Sequence, residues 1–361
     1  MMSAELVLGC VFLELPLEIF EEILDYLDKL RDILSLALTC KSFCKILIPD
    51  HLIYRHIDAN LLHTTLWQKF AASPSLGHRV VSLHVHHDLD NRSTLEAVQL
   101  VSEAEGMLCS VVRLMRRLET FHWNGGRRPL LKNEIWKALK QYCPRLRGLR
   151  VEVQTDERNS MYSSELFQIS NLESFHFIHA MGRDSEIPSS RGLFALLTAS
   201  PNLRVLELAN FVIPGGPTPN IDDVLRDICW PHLDTLDLQG FAFHARPFES
   251  FLVQHPSITS LRIRDCHTGL IPIGIGLLPN LRKFHGHREQ VTLICAAKCP
   301  VEILGTVEFN VHDVMWLGSA FVTVHTTLRE VRTEGQPIKS DSFARMARVL
   351  PDVRILFNTA V

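Results

Sequence analysis

Apolar residues recur along most of the chain in one short pattern, which predicts a repeated structural unit. Each copy has an apolar residue, a second one three positions later and a third two positions after that. Four copies carry a proline two positions ahead and keep identical spacing, starting at Leu146, Leu203, Leu233 and Ile258. The last two apolar positions are two residues apart, as in a β-strand with one buried face.

Further copies start at residues 80, 118, 172, 281, 328 and 353, and a weaker one is expected between Val301 and Val307. Helix-like segments precede most copies, for example Leu131–Tyr142, Phe248–Gln254 and Phe343–Leu350. A single unit cannot bury both its helix and its strand, so neighbouring units must stack. We therefore predict a curved α/β solenoid of parallel inner strands and outer helices, with about ten or eleven irregular repeats over residues 58–361.

The N-terminal segment has helical rather than strand periodicity. Pro16 suits the first position of a helix, where its missing N–H costs nothing. Two more short helices are expected, one from near Asp32 and one around Phe43 that ends before Pro49. A three-helix module of this size is near the lower limit of independent stability, which favours completion of its burial against a partner or a neighbouring domain.

The order Leu15-Pro16, Glu18-Ile19, Ile23, Leu27-Asp28, Leu36, Cys40-Lys41, Phe43 and Pro49 resembles the F-box motif. The resemblance implies an F-box at residues 13–57, after an N-terminal extension at residues 1–12. It also implies binding to a Skp-type adaptor and, through it, to a cullin-RING ubiquitin ligase. The matching positions serve either the core or that interface: Leu15, Pro16, Ile19, Ile23, Leu27, Leu36, Cys40 and Phe43. A helical bundle without a partner is the alternative.

The repeats resemble the leucine-rich repeats commonly fused to F-box modules. The residue between the two buried strand positions of each copy faces away from the helices. This position gives a mostly polar row: His84, His122, Arg150, His176, Glu207, Asp237, Arg262, His285, Arg332 and Phe357. We expect the row to bind a protein target, with acidic residues in its middle and basic or imidazole groups toward both ends. The alternative is a solvated sheet face that only keeps the protein soluble.

Charge, hydrophobicity and cysteine content limit the classes of binding partner and the cellular compartment. The chain has 37 basic and 40 acidic side chains and a formal net charge of −3, so bulk charge favours neither nucleic acid nor an anionic membrane. No stretch reaches the roughly 20 apolar residues of a membrane helix. Nine cysteines, several within apolar segments, suit reduced thiols better than a disulfide framework. We expect a cytoplasmic or nuclear protein, or one found in both compartments.

Two His-x-His pairs, His84/His86 and His285/His287, each place two imidazoles on one side of a predicted strand, a geometry that zinc can use. The sequence identifies no carboxylate or thiolate beside either pair, so surface histidines are expected and neither a metal nor a cofactor is predicted. No nucleophile elbow, Cys-His pair or acid-base carboxylate pair can be placed from spacing. We therefore predict no catalytic residue and no enzymatic activity.

The resulting hypothesis is a substrate-recognition subunit of an SCF-type ubiquitin ligase, which binds the adaptor through its F-box and an unknown protein target through its repeats. Two alternatives stay open. One is an F-box and leucine-rich-repeat scaffold that binds the adaptor without directing degradation. The other is a metal-dependent hydrolase on a repeat scaffold, which would require one of the histidine pairs to bind metal.

Overall fold

The computed structural model describes residues 15–27, 30–48, 52–87, 95–126, 130–155, 164–181, 190–211, 218–264, 266, 274–308, 326–334, 348 and 351–358. The predicted N-terminal extension at residues 1–12 lies outside these ranges, as does most of the predicted helix Phe343–Leu350. Three short helices come first: α1 (Leu17–Asp25), α2 (Leu30–Ala37) and α3 (Lys41–Leu47).

These helices enclose a core of their own, formed by Phe20, Leu24, Ile33, Ala37, Phe43 and Leu47. Phe20 and Phe43 stack with ring centroids 5.6 Å apart. Cys40 is the N-cap of α3, and its Sγ accepts a hydrogen bond from the backbone N–H of Phe43 at 3.5 Å. Pro16 is the N-cap of α1 rather than its first helical residue as expected. In either position the helix loses no hydrogen bond to proline.

A parallel sheet follows, and its described part has twelve strands in chain order. The strands are β1 (His56–Asn60), β2 (Ser82–His86), β3 (Thr120–Asn124), β4 (Gly148–Thr155), β5 (Ser174–Met181), β6 (Val205–Phe211), β7 (Thr235–Gln239), β8 (Ser260–Arg264), β9 (Lys283–His285), β10 (Ile303–Glu308), β11 (Glu330–Glu334) and β12 (Arg354–Asn358). Strands β2 to β12 correspond to the eleven copies read from the sequence, including the weak copy near Val301.

The outer layer consists of helices between the strands. They are α4 (Thr64–Ala72), α5 (Pro74–Gly77), α6 (Leu95–Val112), α7 (Asn133–Tyr142), α8 (Ser190–Thr198), α9 (Asp222–Asp227), α10 (Ala245–Gln254) and α11 (Arg288–Ala296), with a 3₁₀ helix at Glu165–Gln168. Their apolar faces pack on the inward side of the strands. Within this second core Leu83, Phe175, Leu236 and Phe284 have no exposed surface. The predicted leucine-rich-repeat solenoid is confirmed.

A chain of backbone hydrogen bonds links each repeat to the next, just ahead of the strands. The N–H of Val81 donates to the carbonyl of Arg55 at 2.9 Å, and the N–H of Glu119 donates to the carbonyl of Val81 at 2.8 Å. The same contact recurs through Arg147, Glu173, Arg204, Asp234, Thr259, Arg282, Glu302, Arg329 and Arg354. These bonds satisfy the polar backbone where prolines and turns interrupt the regular elements.

Arg55 joins the N-terminal module to the solenoid. Its side chain is buried, and its Nη2 donates a hydrogen bond of 3.0 Å to the carbonyl of Leu27, just past the end of α1. Its own carbonyl begins the backbone chain described above. A cation is favourable near the carboxyl end of a helix, because unpaired carbonyls concentrate negative potential there.

Strand β1 was missed in the sequence, and it lies across the boundary expected at residue 57. Its inward residues are Ile57 and Ala59, and the small alanine weakens the apolar pattern. At the other end of the sheet the expected register is wrong by one residue. Leu356, not Phe357, is the partner of Arg332, because β12 pairs with β11 from Arg354 onward.

Candidate functional site

The predicted adaptor-binding residues divide into core and surface positions. Phe43 is buried, and Leu27, Leu36 and Cys40 pack partly against the same core. On α1 the outward positions are separated by helical spacing: Pro16 is exposed, Ile19 is 45% exposed, and Leu15 and Ile23 are half-buried. Residues 16, 19 and 23 share one side of the helix, whereas Phe20 and Leu24 share the side that faces the core.

Helix α2 has the same two-sided character, which the sequence had not indicated. Ile33 and Ala37 are buried, and they are four residues apart on one face. Leu34 and Leu38, the latter just past the end of the helix, are also four residues apart, yet they are 42% and 68% exposed. A helix that packs on one side only would place polar residues at these positions. The module therefore presents apolar side chains outward on two of its three helices.

The strand register brings the predicted polar row together on the solvent face of the sheet. From β2 to β9 the row residues are consecutive Cα partners: His84, His122, Arg150, His176, Glu207, Asp237, Arg262 and His285. We call these eight residues the polar row. Strand β1 places Asp58 beside His84, a residue that the sequence had missed ahead of the row. At the other end β10 places Gly305 beside His285, and the predicted row residue Arg332 of β11 lies opposite a register shift between Leu304 and Val307 of β10.

Side chains of the row pair with one another rather than standing apart. The Nη1 of Arg150 lies 3.1 Å from the Oε2 of Glu207, and that oxygen also contacts the Nδ1 of His176 at 2.5 Å. The Nε of Arg150 lies 2.6 Å from Glu152, which accepts a second contact from His122 at 3.2 Å. A continuous network therefore crosses strands β3 to β6.

A second pair lies further along the row. The Nη1 of Arg262 is 2.8 Å from the Oδ2 of Asp237, and the Nη2 of Arg264 is 3.8 Å from the same oxygen. The expected acidic middle of the row is thus flanked by arginines on both sides, and its charge is largely compensated in place. Charged hydrogen bonds of this kind fix the side chains in defined positions.

The network changes proton affinities in opposite directions. Hydrogen bonds from His122 and Arg150 lower the pKa of Glu152 to about 2 against the opposing effect of burial. The hydrogen bond from His176, together with Arg150, lowers the pKa of Glu207. Burial raises the pKa of Asp237 in spite of Arg262 and Arg264. Glu152 and Glu207 are therefore held in the ionised form at neutral pH by the side chains that hydrogen-bond to them and by the charge of Arg150.

The two ends of the row differ. At the β9 end His285 is buried, and burial together with Arg262 lowers its pKa to about 4. At the β2 end His84 and His122 stack face to face, with centroids 3.9 Å apart and planes 4° apart. Burial and the neighbouring His122 lower the pKa of His84. The lowered pKa values of His84 and His285 favour the neutral imidazole at one position near each end of the row.

A mainly apolar cavity of about 190 Å³ lies near the ends of β5 and β6. Its walls include Phe167, Phe177 and Phe241, and the buried polar residues His179 and Asn210 also line it. Burial lowers the pKa of His179 to about 4, so the imidazole is neutral at physiological pH. A recess of this size can take a single side chain of a bound protein.

Two further features of the described residues concern the cysteines and the hydrophobicity of the helices. The eight cysteines in these ranges form no disulfide, and burial raises the pKa values of Cys143 and Cys295 to about 12. Among the described helices, none has both the length and the apolar character needed to cross a bilayer.

Three short helices with outward apolar side chains, followed by stacked strand-helix repeats, define an N-terminal helical domain joined to a leucine-rich-repeat solenoid. Residues 12–60 match the F-box-like family. The N-terminal module and β1 therefore form an F-box-like domain, which precedes the leucine-rich-repeat solenoid.

Two solved structures are similar to the chain as a whole. One is the crystal structure of the Rad7 and Elc1 complex in yeast, with 12% identity over 94% of this chain and 95% of that one and a TM-score of 0.40. The other is a leucine-rich-repeat protein of Leptospira interrogans, with 12% identity over 83% of this chain and 100% of that one and a TM-score of 0.25. Neither similarity is close enough to bear on function. No curated protein sequence matches the chain.

Proposed function

We propose that this chain is the non-catalytic substrate receptor of an SCF-type ubiquitin ligase. The F-box-like domain would bind a Skp-type adaptor, and through it a cullin-RING ligase, while the solenoid binds a protein target. Ubiquitin transfer would be carried out by the other subunits, so the contribution of this chain is to position the target. The observation that carries the proposal is the outward apolar surface of α1 and α2.

The size of that surface fits a docking contact. Full burial of a leucine or isoleucine side chain stabilises by about 1.5–3 kcal/mol. Leu38 retains 68% of its exposure and Ile19 retains 45%, so a partner that covered them would gain roughly 1–2 kcal/mol from Leu38 and roughly 0.7–1.4 kcal/mol from Ile19. Fewer than a third of interface residues typically contribute more than about 1 kcal/mol, so contacts of this size are large enough to support docking.

The adaptor half of the proposal is tested with Ile19→Asp and Leu38→Asp in the full chain. We expect each variant to lose copurification of the adaptor and the cullin and to keep its thermal unfolding temperature, because both side chains are outside the core. Val253→Asp is the matched control, since Val253 is 58% exposed on α10 of the solenoid. Adaptor binding at the wild-type level by both F-box variants would refute the assignment.

The polar row is the proposed target surface. Its arginines and carboxylates are already held in place by mutual pairing, so a target with complementary charges would meet a face that needs little further ordering. The double variant Glu207→Gln and Arg262→Gln removes one charge of each sign; the glutamate change is isosteric, and the arginine change shortens the side chain. We expect it to lose target capture by at least tenfold, equivalent to about 1.4 kcal/mol, while binding the adaptor normally.

The control for the row is another double variant, Arg147→Gln and Glu173→Gln. This pair has its closest atoms 3.3 Å apart and is more exposed, and it lies outside the row. If both double variants captured clients to the same extent, the target surface would lie elsewhere on the protein and not on the polar row. The scaffold alternative is favoured over the ligase under one further outcome: the wild-type chain binds the adaptor, but no client accumulates when Ile19 and Leu38 are replaced.

A further inference from the structure

Three potential metal ligands converge at the β1 end of the sheet. Asp58 of β1 is the Cα partner of His84 in β2, and His86 is two residues further on the same side of that strand. The Oδ1 of Asp58 lies 3.1 Å from the Nδ1 of His84 and 3.1 Å from the Nδ1 of His86. All three ligand atoms lie within 4.8 Å of one another.

The chemistry and spacing fit a zinc-type ion. Imidazole nitrogen and carboxylate oxygen bind zinc at about 2.0–2.2 Å, which in a tetrahedral site places neighbouring ligand atoms roughly 3.3 Å apart. The two contacts of 3.1 Å are close to that value. Three protein ligands with a fourth position open are the arrangement of accessible zinc sites, whereas structural sites are closed by four.

The site is also held in place and open to solvent. Strand pairing fixes the backbone of both strands, and stacking on His122 fixes the ring plane of His84. Ligands on strands are better positioned than ligands on loops. The side chain of Asp58 is 68% exposed, whereas those of His84 and His86 are 30% and 28% exposed, so an ion can enter from the solvent face.

The other His-x-His pair, His285 and His287, does not have this arrangement. It therefore serves as a comparison within the same protein. Strand β9 ends at His285, and His287 is the N-cap of α11 rather than a strand residue. The expectation that both imidazoles of this pair share one side of a strand is therefore wrong. Opposite His285 the neighbouring strand offers Gly305, whereas opposite His84 it offers the carboxylate of Asp58.

We propose that Asp58, His84 and His86 bind one divalent transition-metal ion of the zinc class, with a coordination position left open at the solvent face. The sequence had indicated no metal because no carboxylate could be placed beside the histidines. Strand β1 supplies that carboxylate. Water would fill the open position in the isolated protein, and a histidine, cysteine or carboxylate of a bound protein can replace it. This assignment is independent of adaptor binding.

The test is titration of the full chain, first dialysed against a chelator, with Zn²⁺ in a calorimeter and with Co²⁺ followed by its visible absorption. We expect one site per chain in the wild type. Asp58→Asn and His86→Ala each remove one ligand, and both should weaken Zn²⁺ binding by at least tenfold and abolish the tetrahedral Co²⁺ spectrum. Loss of even an outer-shell partner commonly weakens metal binding by about 10- to 100-fold.

Two histidine variants serve as controls. They distinguish Zn²⁺ binding at the site of Asp58, His84 and His86 from nonspecific binding by other surface histidines. His287→Ala removes a member of the other pair, and His78→Ala removes an exposed histidine near the start of the solenoid. Both should bind Zn²⁺ as the wild type does. The assignment is overturned if wild type and His86→Ala bind equally, or if either control weakens binding as much as Asp58→Asn. Circular dichroism of each variant verifies the fold, and the isosteric Asp58→Asn change at an exposed side chain preserves it.

Discussion

Gly240 should be the most sensitive glycine of the solenoid. It lies at the end of β7 with a φ of +72°, in the left-handed region that other residues rarely adopt. A Cβ atom built there would lie 1.8 Å from the backbone oxygen of Asn210, which lies in the partner strand β6. The N–H of Gly240 also donates to the carbonyl of Arg264 at 3.0 Å. The chain is therefore pinned between two neighbouring repeats.

The cost of Gly240→Ala has two parts. A left-handed conformation costs an alanine on the order of 1 kcal/mol. The clash is with backbone rather than with a mobile side chain, so the two repeats must separate by more than an ångström, and overpacking of this kind costs about 1–3 kcal/mol. We expect a total loss of about 2–4 kcal/mol in the free energy of unfolding.

Two other glycines provide matched controls. Gly276 has a φ of +80° but no heavy atom within 4 Å of a built Cβ, so its alanine variant should lose only the backbone part, about 1 kcal/mol. Gly106 lies within α6 with open space around it, so alanine there should stabilise by up to about 1 kcal/mol. Urea unfolding followed by far-ultraviolet circular dichroism measures all three. If Gly240→Ala and Gly276→Ala agree within about 0.5 kcal/mol, the close packing of repeats at β6 and β7 is refuted.

Three further outcomes are expected. Phe43→Ala removes a buried ring stacked on Phe20 and should cost the F-box-like domain about 3–5 kcal/mol, seen as loss of hydrogen-exchange protection in residues 30–48 but not in the solenoid. His285 has a pKa of about 4 when folded against 6.5 as its ordinary value, so its stabilisation is complete above pH 6.5 and is lost as the pH falls toward 4. The free energy of unfolding should drop by up to about 3 kcal/mol over that window, and His285→Asn should flatten the drop; an unchanged slope would contradict the assignment. Glu152 has a folded pKa of about 2 against an ordinary value of 4.5, so its stabilisation is complete above pH 4.5 and is lost as the pH falls toward 2; Glu152→Gln should remove this acid-induced loss.

The sequence by itself determined the solenoid and the composition of the polar row. Both depend on local spacing, because side chains two residues apart share one face of a strand. Each repeat shows this pattern within its own few residues. The eleven copies from β2 to β12 could therefore be found one at a time. Strand β1 could not, since Ala59 gives little apolar signal and the segment borders the F-box-like domain.

Only the tertiary structure distinguished the core residues of the F-box-like domain from the apolar residues at its surface. Periodicity marks Ile19, Phe20 and Leu38 alike as apolar, but the packing of three helices leaves Phe20 in the core and the other two at the surface. The structure also decided which charges meet. Arg150 and Glu207 are 57 positions apart in the chain, and Asp58 and His84 are 26 apart. Their contacts depend on strand register, which is set by the stacking of whole repeats and not by any local pattern.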